Sequence, residues 1–204
     1  MNTETIVHPK LQHFGIATGN LDAMIDWYGK VLGTTVNYRR APAAGQRNGR
    51  PFTIALIGND EMHHRIALLG MPGLASDPDK HRHARVQHVA FECDTIDDLL
   101  GTYLRLKGLG IVPQMAGDEL IQLVLYYQDP DQNVVELNVN NFDDQRKAKE
   151  QMKNAPSDTR GLVFFDPEKM VAARQAGASH RELHERALAG EFAPDQVPDP
   201  RRIL

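Results

Sequence analysis

The sequence predicts an α+β protein made of two β-α-β-β-β modules followed by a helical extension, and two observations carry that prediction. Leu11-Gln12-His13-Phe14-Gly15-Ile16-Ala17 is echoed by Val86-Gln87-His88-Val89-Ala90-Phe91-Glu92, each an apolar-Gln-His start to a strand-like run. Both copies continue in the same order, through a stretch at helical spacing, a strand, a turn and a last apolar strand, ending near Leu69 and near Val139. This is an internal duplication with the histidine inside it. Two equivalent histidines on equivalent strands can face each other across a pseudo-two-fold axis, which builds a metal site.

In the first module, residues 11–70, Leu11 to Thr18 reads as a strand and Gly19-Asn20 as a turn. Leu21, Met24, Ile25, Tyr28, Val31 and Leu32 then fall at helical spacing, with Gly33 as the terminating residue. Thr35 to Arg39 is the next strand, Ala41 to Arg50 a flexible loop, and Phe52 to Ile57 with Arg65 to Leu69 a hairpin around Gly58-Asn59-Asp60-Glu61. Residues 1–10 are an N-terminal tail and 71–85 a polar linker. The second module, 86–142, opens with the strand Val86 to Glu92. A helix comes next, from near Thr95 to Lys107, ended by Gly108 and Gly110, then strands near Ile111 to Gln114, Ile121 to Tyr127 and Val134 to Val139. From 143 to 204 the pattern becomes helix and turn. Asp166-Pro167-Glu168 caps one helix that stops at Gly177, Ser179-His180-Arg181-Glu182 opens another that ends at Gly190, and Phe192 through Pro200 is expected to run extended on the surface or against a neighbouring subunit.

With 204 residues the chain suits one or two domains. A net charge of -4, from 23 basic and 27 acidic residues, provides no basic stripe for phosphate contacts, so nucleic acid is not an expected partner. Cys93 is the sole cysteine, which excludes an intrachain disulfide and a thiolate cluster. The N-terminus lacks the form of a signal peptide, and no run approaches the ~18 apolar residues of a membrane span. A soluble, cytoplasmic protein is expected.

His13 and His88 begin the two copies, and Glu136 lies inside the apolar strand Val134-Val135-Glu136-Leu137-Asn138-Val139. A carboxylate flanked by valine and leucine is costly to bury unless paired or bound to a cation. Singly, a strand histidine is more often a satisfied core residue and a strand glutamate a solvent-facing one; the duplication argues against that reading for all three together. Two imidazoles and one carboxylate form the facial triad that suits Fe(II), while Mn, Zn and Ni take the same donors. Aligning Ile57-Gly58-Asn59 with Tyr127-Gln128-Asp129 sets Ile66 opposite Glu136, so the fourth symmetric ligand is missing.

The paired modules with His, His and Glu resemble the vicinal oxygen chelate superfamily (glyoxalase, bleomycin resistance and dioxygenase proteins). In detail the chain is similar to the single-domain type I extradiol dioxygenases, the biphenyl-2,3-diol 1,2-dioxygenase and catechol 2,3-dioxygenase group. Leu125-Tyr126-Tyr127-Gln128-Asp129-Pro130-Asp131-Gln132-Asn133-Val134-Val135-Glu136 is similar to that group's signature, and Glu61-Met62-His63-His64-Arg65-Ile66-Ala67-Leu68 to its His-His segment. The resemblance covers residues 11–142 and implies a curved mixed sheet around an Fe(II) site held by His13, His88 and Glu136, with His64 and Tyr126 as catalytic residues. It further implies ring cleavage of a catechol-type aromatic diol with O2, and a homo-oligomer. Two positions depart from the group's pattern: Gln132 stands where the signature has glycine, and Glu119 where it has a histidine. The alternatives are a glyoxalase-like or epimerase-like isomerase, disfavoured by Ile66, and a metal-free binder of small aromatics, disfavoured by the three donors.

Overall fold

The computed structural model describes residues 8–42, 52–155 and 161–202. The chain divides into two compact units, Met1–Asp77 and Pro78–Leu204, so the expected linker is shared between them. Most of the N-terminal tail and the loop from position 43 onward lie outside the described residues.

In the first unit β1 (Phe14–Thr18), α1 (Leu21–Leu32), β2 (Thr35–Arg40), β3 (Thr53–Gly58) and β4 (Ile66–Gly70) come in the expected order. Their sheet runs β1-β4-β3-β2, with β1 parallel to β4 and the other pairs antiparallel. Helix α1 buries Met24, Trp27, Tyr28 and Val31 on one face and packs on β4. It stops at Gly33, whose φ of 68° is the left-handed conformation that glycine enters without a Cβ clash and whose N–H caps the Gly29 carbonyl. Strand side chains alternate, so the fully buried Ile66 and Leu68 face the helix and Ala67 faces away.

The second unit repeats this plan with β5 (His88–Glu92), α2 (Ile96–Gly108), β6 (Met115–Asp118), β7 (Gln122–Gln128) and β8 (Val134–Asn140). The order is β5-β8-β7-β6, again with only the first pair parallel. Thr95 and Asp98 close a reciprocal capping box at the start of α2. The tail adds α3 (Gln145–Asn154), β9 (Val163–Phe164), α4 (Pro167–Gln175) and α5 (His180–Leu188). Asp166 and Ser179 cap α4 and α5 as expected.

Four local expectations are corrected. His13 lies just before β1 rather than on it, although the next residue, Phe14, donates its N–H to the Arg65 carbonyl at 3.2 Å. The strand expected near Ile111 to Gln114 forms at Met115–Asp118, because Pro113 has no N–H to contribute and the pairing with β7 begins at Met115 opposite Tyr126. The extension is not only helical: β9 pairs along the outer edge of β6, Phe164 opposite Gly117 and Val163 opposite Asp118. A Cβ at Gly117 would meet Leu162 Cδ1 at 2.3 Å, so the bare backbone there lets the segment before β9 approach. Phe192, finally, is buried rather than extended on the surface, because its carbonyl accepts from the Asp166 N–H at 2.7 Å and the Arg186 guanidinium lies 4.9 Å over its ring.

Sheet register also revises the counterpart of Glu136. Phe14 and Gly15 correspond to Val89 and Ala90, and Gly15 pairs with Ala67 whereas Ala90 pairs with Glu136. The antiparallel side agrees, with Leu56 opposite Ala67 and Tyr126 opposite Glu136. The equivalent residue is therefore Ala67, one position beyond Ile66, because the β3–β4 connection is longer than the β7–β8 turn. An apolar side chain stands there either way.

Candidate active site

The β8 face turned away from α2 carries Glu136 and Asn138, and the same face of β7 carries Tyr126, Val124 and Gln122 by period-two alternation. His88 opens β5 on this face. Glu136 is 1% exposed, and its Oε2 lies 3.1 Å from His88 Nε2. Its Oε1 accepts from Gln122 Nε2 at 3.0 Å and from Asn138 Nδ2 at 2.7 Å. One carboxylate oxygen is thus satisfied by neutral amides and the other is aimed at an imidazole nitrogen.

The Gln87 side-chain oxygen contacts His88 Nδ1, which places the ring proton on Nδ1. In the neutral Nδ1–H ring the Nε2 lone pair and Glu136 Oε2 face each other as two acceptors, an arrangement that fits a cation between them. Imidazole and carboxylate suit Fe(II), Mn, Zn and Ni alike. Cys93 offers no competing thiolate, since burial and the nearby Asp98 and Asp94 push its thiol up to about 11.

Tyr126 is fully buried beside this pair, its ring edge-on to His88 at 5.7 Å between centroids. Its hydroxyl donates to Glu119 Oε1 at 2.7 Å, and Gln122 Nε2 bridges Glu119 Oε2 at 3.1 Å to Glu136. Burial first, then the Glu119 carboxylate, raise the Tyr126 hydroxyl far above its ordinary range, so it stays a proton donor. Leu162 and Phe164 from the extension pack on Met115, Val124, Tyr126 and Val134, giving an apolar wall beside the polar group.

In the first unit His13 and His64 come together with ring centroids 4.4 Å apart, and the His63 ring also lies 4.4 Å from His64. His64 is buried; desolvation, then His13 and His63, hold its pKa below the ordinary histidine value. The five expected residues therefore form two groups, His13 with His64 and His88 with Glu136 and Tyr126. Neither unit by itself gathers three metal-donating His, Cys, Asp or Glu side chains among its described residues. Sequence reasoning missed Gln122 and Asn138 as partners of Glu136. Their period-two spacing from Tyr126 and Glu136 was the available signal.

Residues 10–137 match the family model described as the Glyoxalase/Bleomycin resistance protein/Dioxygenase superfamily. The chain is 36% identical over 200 residues to biphenyl-2,3-diol 1,2-dioxygenase 3 of Rhodococcus globerulus, covering 97% of this chain and 98% of that protein. It is also 36% identical over 197 residues to biphenyl-2,3-diol 1,2-dioxygenase 2 of the same organism, covering 96% and 97%. Among solved structures, the trypanothione-dependent glyoxalase I of Leishmania major shares the fold with a TM-score of 0.50 and 20% identity, over 72% of this chain and 96% of that one.

Proposed function

The chain belongs to the glyoxalase/bleomycin resistance protein/dioxygenase superfamily, and we propose that it is an extradiol ring-cleavage dioxygenase acting on a catechol-type diol, with Fe(II) held by His13, His88 and Glu136. The relatives of nearly equal length are named as biphenyl-2,3-diol 1,2-dioxygenases, and both atoms of O2 enter the ring-opened product in this reaction class. The observation that carries the metal assignment is the buried Glu136 carboxylate, whose Oε2 lies 3.1 Å from His88 Nε2.

Iron held there would supply a Lewis-acidic, redox-active centre for the diol and O2. The protein's residues supply position and protons. His64, whose pKa lies below the ordinary histidine value, accepts a proton from the diol at Nδ1 when that atom leaves its contact with His63, and returns it to the product. The Tyr126 hydroxyl turns from Glu119 to donate to a substrate oxygen, and Glu119 holds it on the correct side of the ring until then. Leu162 and Phe164 exclude water from the apolar part of the diol. Ala67, where a symmetric donor would stand, offers no fourth ligand of the kind an isomerase uses. The protein is cytoplasmic and homo-oligomeric in this reading; among the described residues no helix is long and apolar enough to cross a membrane.

The test is an anaerobic Fe(II) titration followed by oxygen and a panel of catechols, watched for oxygen uptake and the yellow ring-fission product. Absence of both with every catechol overturns the reaction. Full metal retention by His13→Ala, His88→Ala and Glu136→Ala overturns the ligand set.

A further inference from the structure

Each candidate ligand histidine is preceded by a glutamine, and in both units the glutamine turns back onto its neighbour. Gln12 Oε1 contacts His13 Nδ1, and Gln87 Oε1 contacts His88 Nδ1. An amide oxygen only accepts, so Nδ1 of each ring carries a proton, and in the neutral ring Nε2 keeps its lone pair. The free neutral side chain favours the opposite tautomer, with the proton on Nε2, which cannot bind a metal through that atom. A device that reverses the preference is what a metal-binding Nε2 needs.

In the first unit the chain of contacts goes further. Gln12 Nε2 lies 3.0 Å from His63 Nε2, and an amide nitrogen only donates, so His63 Nε2 accepts and the His63 proton sits on Nδ1. That Nδ1 meets His64 Nδ1, which must accept, leaving the proton of a neutral His64 on Nε2. The backbone frame is braced to match. Arg65, paired with Asp60 at 2.6 Å, donates to the Gln12 carbonyl at 3.3 Å, and Asn37 donates to the His63 carbonyl at 3.2 Å. Two neighbouring rings, His13 and His64, thereby take opposite tautomers from one glutamine.

We propose that Gln12 and Gln87 are positioning residues that fix the Nδ1–H tautomer of the two metal-binding histidines, and that Gln12, acting through His63, fixes the Nε2–H tautomer of His64. The proposal rests on the reading of His13 and His88 as ligands. It assigns His63 a role as connector between Gln12 and His64.

The experiment is ¹⁵N NMR of the histidine rings in the full-length, metal-free protein at mildly alkaline pH, with Zn(II) affinity measured by chelator competition. His13 and His88 should each carry a proton on Nδ1, and a neutral His64 should carry its proton on Nε2. Gln12→Ala and Gln87→Ala should each move their own histidine toward the Nε2–H form and weaken Zn(II) binding about 10-fold or more. Gln12→Glu, which keeps the acceptor and loses the donor, should leave His13 in its Nδ1–H form while His63 and His64 become tautomer mixtures. Unchanged ring shifts and affinity in both alanine variants, or a Gln12→Glu variant that disturbs His13 and spares His64, overturn the proposal. Because the ring tautomers are read without substrate, a protein that cleaves no catechol yet shows these shifts would fail the dioxygenase reading alone.

Discussion

The Tyr126 hydroxyl donates to Glu119 Oε1 at 2.7 Å, and Glu119 stands where the resembled signature leads one to expect a histidine. The same carboxylate takes a second bond from Gln122, which also reaches Glu136, so one position links the tyrosine to the Glu136 carboxylate. Replacing Glu119 with alanine removes a charge-assisted bond of about 1.5–3 kcal/mol, and the expected loss in kcat/KM toward a catechol is about 10- to 100-fold. Steady-state oxygen uptake checks this. An alanine variant as active as the parent would show that Glu119 does not orient Tyr126. Glu119→His should recover part of the loss, since a histidine can also accept from the phenol.

Adjacent tyrosines have separate parts because a strand alternates its faces. Tyr127 points toward α2, fully buried, and its hydroxyl finds no hydrogen-bond partner among the described residues. Tyr127→Phe removes an unsatisfied group and should leave stability unchanged or raise it by up to about 1 kcal/mol, with activity retained. Tyr126→Phe should instead lose activity. Urea unfolding together with turnover separates the two; an inactive Tyr127→Phe would contradict the assignment.

Gln132 occupies the turn between β7 and β8 with φ of 63°, and its N–H donates to the Asp129 carbonyl at 2.9 Å. A left-handed residue with a Cβ carries strain of about 1–2 kcal/mol, against which glycine's extra unfolded-state freedom costs about 0.5–1 kcal/mol. Gln132→Gly should therefore stabilise the second unit by roughly 0.5 kcal/mol. A lower urea midpoint in the variant would overturn this. The glycine of the resembling signature at this position has the same physical reason.

The extension is bound to β6 through a buried polar contact. Asp118, fully buried, accepts from His184 of α5 at 2.7 Å and from the Leu120 N–H at 2.8 Å. His184→Ala leaves that carboxylate short of a donor, and a loss of about 2–3 kcal/mol is expected. Limited proteolysis should then cut the extension faster. Asp118 directly precedes Glu119, so the same variant should also lower turnover; unchanged proteolysis and turnover would show the contact to be idle.

His180, one turn before His184, bonds Asn141 at 3.0 Å. Desolvation first, then His184, hold its pKa below 6.5, opposed by Asp118 and Asp143. The unfolded chain then binds more protons than the folded one between the folded pKa and about 6.5, so stability falls as pH drops through that window. His180→Gln should flatten the decline in urea midpoint between pH 7.5 and 5.5. An equally steep decline would place its cause elsewhere.

By itself the sequence determined most of the elements and their repetition, because helical and strand periodicities, the Gly33 stop and the Asp166 and Ser179 caps are local. It also singled out His13, His88 and Glu136, since a duplicated histidine and a carboxylate in an apolar strand are visible without coordinates. Only the tertiary structure decided that Ala67 rather than Ile66 answers Glu136, that β9 pairs with β6, and that Glu119, Gln122 and Asn138 surround Tyr126 and Glu136. Those relations depend on strand register, and one extra residue in a hairpin connection moves every later side chain to the opposite face.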